Sequence, residues 1–313
     1  MLVLAVFISS CEKEEVSLNP AADSITSMAP THLTFKTVKD LQEAIKMSQL
    51  PDFEEINKLN HPNFISYNDA YYQALEDITI EMDVKGRDLT TTQIAAEFPV
   101  FVGSDGTGEE EILPLIHSYT MRKLLDQNGV ITVGKKVYQY GYNEYYVAPV
   151  QNVTNFADIK DVSGVMVSSF NNYSTNVEKG LEGLCNDEYR HNNRRHRLKP
   201  RWFSEVFTIG GVPFKDVWIE IKHQKKSPFW RANREDQIRC NGTMRIFNGN
   251  GTASSTVLVN RSRSNTSILE HTVQNDEPTD LTGNLPSEWV MANSSVFHES
   301  FDGGTNPGCR ISK

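Results

Sequence analysis

Apolar positions recur at helical spacing through the first half of the chain and alternate through most of the second. Val38, Leu41, Ala44, Ile45 and Met47 form a stripe that predicts a helix. Thr37 stands three residues ahead of Asp40 at its start, the pattern of a capping box. Pro51 ends that helix and opens a second through Phe53, Ile56 and Leu59, and Ala70, Tyr71, Ala74, Leu75 and Ile78 predict a third, with Asn68 as its cap. A fourth is expected from Ile112 to Leu125, led by Glu109, Glu110 and Glu111 and stopped at Asn128-Gly129. Acids there suit the positive end of a helix dipole. Strands are expected at His32–Phe35 and in a small meander of Val130–Val133, Val137–Tyr140 and Glu144–Val147.

Residues 151–184 are rich in Asn, Ser and Val and carry one strand signal, Val165–Ser169. From Trp202 onward the text breaks into short β-like runs: Trp202–Ile209, Val217–Lys222, Gln237–Cys240, Met244–Phe247, Thr256–Val259 and Ile268–Thr272. Gly210-Gly211, Asn248-Gly249 and Asn250-Gly251 are turn signals between them. Val217, Ile219 and Ile221 share one face of their strand, and Trp218 adds apolar weight to the other. The expected class is α+β. A small mixed helix/β-meander domain spans 31–150, a polar connector 151–199, and an all-β sandwich-like domain 200–313.

Composition narrows the function classes. The 313 residues hold 31 basic and 40 acidic side chains, a net charge of −9, with 38% apolar residues. Polytopic membrane proteins, collagens, coiled-coil rods and wholly disordered chains are excluded. Residues 1–150 carry 11 basic against 22 acidic residues, and residues 151–313 carry 20 against 18. Such a step suggests two units with different surfaces. An acidic half also argues against a nucleic-acid partner, because phosphate repels it.

The first residues read MLVLAVFISSC. The apolar run is shorter than the roughly 20 residues a bilayer span needs and suits the core of a signal peptide over residues 1–10. The cationic leader that precedes such cores is missing, so the expectation is a true start upstream of Met1. Ile8, Ser9, Ser10 and Cys11 resemble a bacterial lipobox. Small residues fit the peptidase cleft, and the Cys11 thiol is the nucleophile that accepts a diacylglycerol, with palmitate-type acylation. Glu12-Lys13-Glu14-Glu15 resembles the export signal that carries lipoproteins to the outer face of the outer membrane in Gram-negative gut anaerobes. Residues 11–30 then form a lipidated flexible linker. Within it Asp23-Ser24-Ile25 matches a short O-glycosylation pattern, making Ser24 a candidate acceptor.

The order of an LTFK strand, a Val-Lys-Asp-Leu helix, a Tyr-rich helix, a Leu-Leu-Asp-Gln-Asn-Gly turn and VITVGKKVYQY resembles the N-terminal part of a family of uncharacterised outer-membrane lipoproteins of gut anaerobes. That likeness covers roughly residues 33–150. RLKPRWFSEVF and KHQKKSPFWRANREDQIRC resemble the C-terminal region of the same group. The family has no established catalytic residues, so none carries over.

The catalytic motifs are mostly absent: there is no GxSxG elbow, P-loop or GxGxxG. His298-Glu299-Ser300-Phe301-Asp302 begins like a zincin helix but has Asp where the second His belongs. His191 and His196, five apart on a polar segment, read as solvated surface, and Glu109–Glu111 read as helix capping rather than a glycosidase pair. Arg194, Arg195 and Arg197 precede Trp202, and further cations flank Trp230. These five are the candidate anionic-ligand surface, since guanidinium forks match carboxylate and phosphate. The competing expectation is that the same cations solubilise strands and pair with the acidic first half. Cys185, Cys240 and Cys309 allow three disulfide pairings or none. The expected protein is therefore a non-enzymatic surface lipoprotein, anchored in the outer membrane. It binds glycan or host protein, with no metal, cofactor or nucleic acid. The alternative is a surface polysaccharide hydrolase.

Overall fold

The computed structural model describes residues 31–50, 53–102, 111–142, 144–169, 175–176, 181–183, 185, 187–227, 229–247, 254–276, 290–291, 294–301 and 307–312. The lipobox Ile8-Ser9-Ser10-Cys11 and Ser24 lie outside them. The class is α+β, with helices before residue 125 and a sandwich-like β region after residue 189. Among the described residues no helix is long and apolar enough to cross a membrane.

Among the described residues five α-helices form: α1 (Val38–Met47), α2 (Phe53–Asn60), α3 (Tyr67–Thr79), α4 (Thr91–Glu97) and α5 (Tyr119–Leu124). The Thr37 hydroxyl accepts from the Asp40 N–H at 3.2 Å, and the Asp40 carboxylate accepts from the Thr37 N–H at 2.9 Å. Two open donors of the helix end are thereby satisfied. The cap of α3 is Ser66, whose hydroxyl accepts from the Asp69 N–H; Asn68 instead lies buried in the first turn. A π-helical turn, Ile80–Val84, prolongs α3 and carries Asp83. The helix expected from Ile112 is reduced to α5. Pro114 biases Leu113 toward extended backbone, and Leu113–Pro114 ladders with Phe101–Val102. The chain turns helical only after Ser118, which caps α5.

The first sheet runs β1 (Thr34–Phe35), β2 (Val130–Val133), β3 (Lys136–Tyr140), β4 (Glu144–Pro149), β5 (Met166–Ser169) in that spatial order, with β1 parallel to β2 and the rest antiparallel. The meander is as expected. Val153 and Ile159, in the expected connector, pack beneath it on Val130, Val137 and Ala148, so that stretch is not a free linker.

Among the described residues the later strands build two further sheets. In the middle sheet β6 (Tyr189–His191), β7 (Arg194–Ile209), β8 (Val212–Lys226) and β9 (Trp230–Ala232) follow in order, and β12 (Ile268–Asp276) pairs with β8. In the outer sheet the order is β11 (Ser254–Thr266), β10 (Glu235–Phe247), β13 (Ser295–Phe301), β14 (Gly308–Ser312), followed by Leu181–Gly183. β7 and β8 are 16 and 15 residues long. They pair without a break through the basic run that the sequence reading gave to the connector 151–199. The reason is alternation. Leu198 and Trp202 on β7 and Val217, Ile219 and Ile221 on β8 face the outer sheet and join Ile238, Met244, Val259, Val296 and Ile311 in one core. On the opposite face Arg197, Lys199 and Arg201 of β7 and Glu220 and Lys222 of β8 carry charge, beside the stacked rings of Phe203 and Trp218.

The β7–β8 turn docks on the helical layer. Gly210 and Gly211 have φ of +60° and +82°, a conformation that residues with a Cβ avoid. A Cβ on Gly210 would also stand 2.6 Å from Leu41 and 2.7 Å from Val133. The Gly210 N–H donates to the Tyr140 hydroxyl at 2.9 Å. Phe207, Ile209, Phe214 and Ile268 therefore share a core with Leu41, Ile45, Tyr71 and Ile131. The boundaries drawn at 150 and 200 do not separate two cores. Cys185, beside Leu198 of the middle sheet, is disulfide-bonded to Cys309 of the outer sheet, and Cys240 is a buried free thiol.

Candidate functional site

The face of the middle sheet turned to the helices is a buried ionic layer. Glu111, 1% exposed, sits among four cations: Lys199 at 2.6 Å, Arg201 at 3.4 Å, and Lys222 and Arg197 each at 3.6 Å. Gln224 Nε2 donates to it at 2.9 Å. Burial pushes the Glu111 carboxyl up, but the Arg201, Lys222 and Lys199 charges outweigh it and hold it well below the usual carboxylate range. Glu220 pairs with Arg201 at 2.6 Å and Lys222 at 3.1 Å. Asp83, on its π-helical turn, takes Lys225 at 2.7 Å, Arg194 at 3.3 Å and Arg231. Arg122 of α5 pairs with Glu270 of β12, donates to Asn68 at 3.3 Å and lies over the Tyr71 ring. Charges this buried are tolerable only when matched, because each loses its hydration. The layer thus clamps the helical region onto the sheet.

The open surface lies at the rim of this layer. Three adjoining depressions of about 340, 370 and 300 Å³ line the edge where α2 and α3 face β11 and β12. Arg263 borders all three, Tyr72 and Glu76 border two, and Glu54 borders two. On β11 the inward positions run Val257, Val259, Arg261, Arg263. The first two pack in or against the sandwich core, and the next two are exposed and line the cleft. Arg263 lies over the Tyr72 ring, 4.7 Å from its centre. Arg261 Nη1 donates to the Asn260 carbonyl at 3.0 Å, and its Nε donates to His271 Nδ1 at 3.4 Å. The Tyr72 hydroxyl donates to Glu270 at 2.8 Å. Glu54 accepts from Asn68 Nδ2 at 3.1 Å through one oxygen. Lys123 donates to the Ser48 carbonyl at 2.7 Å and lies over the Tyr119 ring, and burial pulls its pKa down to about 8. Burial likewise lowers His271 to about 4, so the imidazole is neutral at pH 7.

The five residues of the expected anionic-ligand surface are not gathered on one exposed face. Arg194 is bound to Asp83 and Arg195 to Glu188 at 3.1 Å, both exposed. Arg197 is buried, donates to Gln224 at 2.7 Å and lies over the Trp230 ring. Trp202 is fully buried and donates through its indole N–H to His298 Nε2 at 3.2 Å, and Trp230 is buried too. The period of two along β7 turns Trp202 away from the arginines and into the sandwich. Glu111 is an interior ion rather than a helix cap. His298 stands on strand β13, where a zincin helix is impossible. His191 and His196 lie on facing arms of the β6–β7 hairpin with rings edge-on, and among the described residues no three His, Cys, Asp or Glu are placed to hold a metal. Arg261, Arg263, Tyr72 and Glu54 were not singled out by the sequence reading. Their signal was the inward set of β11 changing from valine to arginine without breaking alternation.

No protein-family model matches the chain, and no curated protein matches it. A solved crystal structure of a DUF4848 family protein from Bacteroides thetaiotaomicron is similar at 13% identity, covering 89% of this chain and 95% of that one, with a TM-score of 0.28. That neighbour is itself a member of a family of unknown function from a gut anaerobe. A likeness this loose carries neither fold nor activity to the present chain.

Proposed function

We propose that the protein is a surface lipoprotein of the outer membrane, anchored through Cys11, that binds glycan or host protein without transforming it. The observation that carries the binding reading is the cleft beside β11. Its two arginines are exposed, lie two residues apart on one side of a strand, and have no carboxylate within 4 Å among the described residues. Exposed cations that line a cleft and have no carboxylate beside them are positioned for an external partner. Export is supported by the disulfide between Cys185 and Cys309, since such bonds persist in oxidising compartments.

Two measurements test this. Cys11→Ser should move the protein from the membrane fraction to the soluble one, and unchanged detergent-phase partitioning removes the anchor. Incubation of the purified protein with arrayed polysaccharides should give retention without new reducing ends. Steady release of reducing ends would favour the hydrolase instead.

A further inference from the structure

We infer that the cleft beside β11 takes an oligosaccharide bearing one carboxylate per sugar, a uronic-acid chain. The inference rests on the binding reading above and names its ligand. Arg194, Arg195, Arg201, Arg231, Arg234 and Arg239 each have a carboxylate partner within 4 Å. Arg261 and Arg263 have none among the described residues; Arg190, Arg245 and Arg310 have none either, but of these five only Arg261 and Arg263 border the cleft. Stacking on Tyr72 orients the Arg263 guanidinium, and its in-plane N–H groups suit bidentate contact with a carboxylate.

The same cleft holds acceptors. Glu54 gives one oxygen to Asn68, and its other oxygen has no partner among the described residues. Glu76 borders two of the three depressions, and its exposed carboxylate meets Arg234 at 3.3 Å. Carboxylates in an anion site repel a dense polyanion, yet they accept hydrogen bonds from hydroxyls. A ligand with one charge and several hydroxyls per unit satisfies both halves; a sulfated chain brings more charge and fewer free hydroxyls per unit, and a run of acidic residues brings one amide N–H per charge and no hydroxyl. The depressions adjoin, the first two sharing Tyr72, Glu76 and Arg263 and the last two Glu54 and Arg263, so together they give room for more than one sugar unit.

The test is isothermal titration of the full chain with four probes: hexagalacturonate, its fully methyl-esterified form, a heparin hexasaccharide and hexaglutamate. Hexagalacturonate should bind at least tenfold more tightly than the other three. Arg261→Ala with Arg263→Ala should weaken it at least tenfold, and Arg261→Lys with Arg263→Lys by less, because charge remains but the fork is lost. The melting temperature reports that the variants are folded. Equal binding of the ester, a preference for heparin or hexaglutamate, or unchanged affinity in the double alanine variant overturns the inference. Failure of the binding reading is separable. A neutral glycan or a protein retained by the native chain and lost by the double alanine variant leaves the cleft a binding site while refuting the uronate. Absence of any ligand that depends on these arginines refutes both.

Discussion

The two faces of the middle sheet are built from the same strands with the same alternation, yet they hold their neighbours in different ways. Toward the outer sheet, β7 and β8 present Leu198, Trp202, Val217, Ile219 and Ile221. Toward the helices they present Arg197, Lys199, Arg201, Glu220 and Lys222 around Glu111. Both faces are buried. The apolar face is graded, since losing part of a side chain loses part of the contact. The ionic face is close to all-or-none, since removing one member strands charges that water cannot reach.

The largest effects should come from substitutions that separate these two behaviours. Glu111→Ala should destabilise by about 3–5 kcal/mol, the usual cost of leaving a buried charge uncompensated, and Glu111→Gln should recover little because four cations remain around a neutral amide. Trp202→Ala should lose a similar amount, about 3–5 kcal/mol, but Trp202→Phe should recover much of it. Chemical denaturation of the four variants measures the contrast. Equal recovery by the two conservative variants would mean that the faces do not differ in kind.

Next in size is the cross-sheet disulfide. It closes a loop of 124 residues between sheets, so Cys185→Ser or reduction should cost about 2–5 kcal/mol, mainly by freeing the unfolded chain. Thermal melts with and without reductant read this, and an unchanged midpoint would show the bond idle.

Acid should destabilise the protein. Burial lowers His117 and His271 to about 4 and His298 to about 3. The unfolded chain therefore binds more protons than the folded one below the ordinary histidine value, and stability is lost as pH falls from about 6.5 toward 4. Glu111 and Asp83, held low by their cations against the opposing effect of burial, act in the same direction at lower pH. Asp126 and Asp216, raised by burial to about 6, act oppositely: their destabilisation eases as pH falls below 6. The melting temperature should still drop between pH 6.5 and 4, and a rise would reverse the sign of this balance.

The smallest effect belongs to the exposed pairs. Arg194→Ala with Arg195→Ala should change stability by no more than about 1 kcal/mol each, since solvent screens such contacts, and should leave retention of any cleft ligand unaltered. A loss of ligand binding in this variant would return the site to the basic run.

Much of the helical region was legible because its cues are local. The Thr37 and Asp40 cap, the Leu41 and Ile45 stripe and the meander around Gly134 each follow from a few neighbouring residues. The strands after residue 189 were legible as β but read too short. Arginine and lysine at alternate positions look like a solvated face, and only long-range contact with Glu111 and Asp83 makes them interior. For the same reason the arginines of the early basic run drew attention as a ligand surface, while Arg261 and Arg263, embedded in a Ser- and Asn-rich strand, did not. Which cation is matched by an acid a hundred residues away is a property of the tertiary fold and leaves no mark on spacing.

The central claim is that Arg197 and Arg201 of the basic run are interior, while the β11 arginines are accessible beside the cleft. Arginine modification by hydroxyphenylglyoxal, followed residue by residue with mass spectrometry on the folded protein, tests it without reference to any ligand. Arg261 and Arg263 should react readily, while Arg122, Arg197, Arg201 and Arg231, all buried, stay protected until the chain is denatured. Reaction of Arg197 and Arg201 at the rate of Arg261 would contradict the account, because it would place the basic strands on the surface.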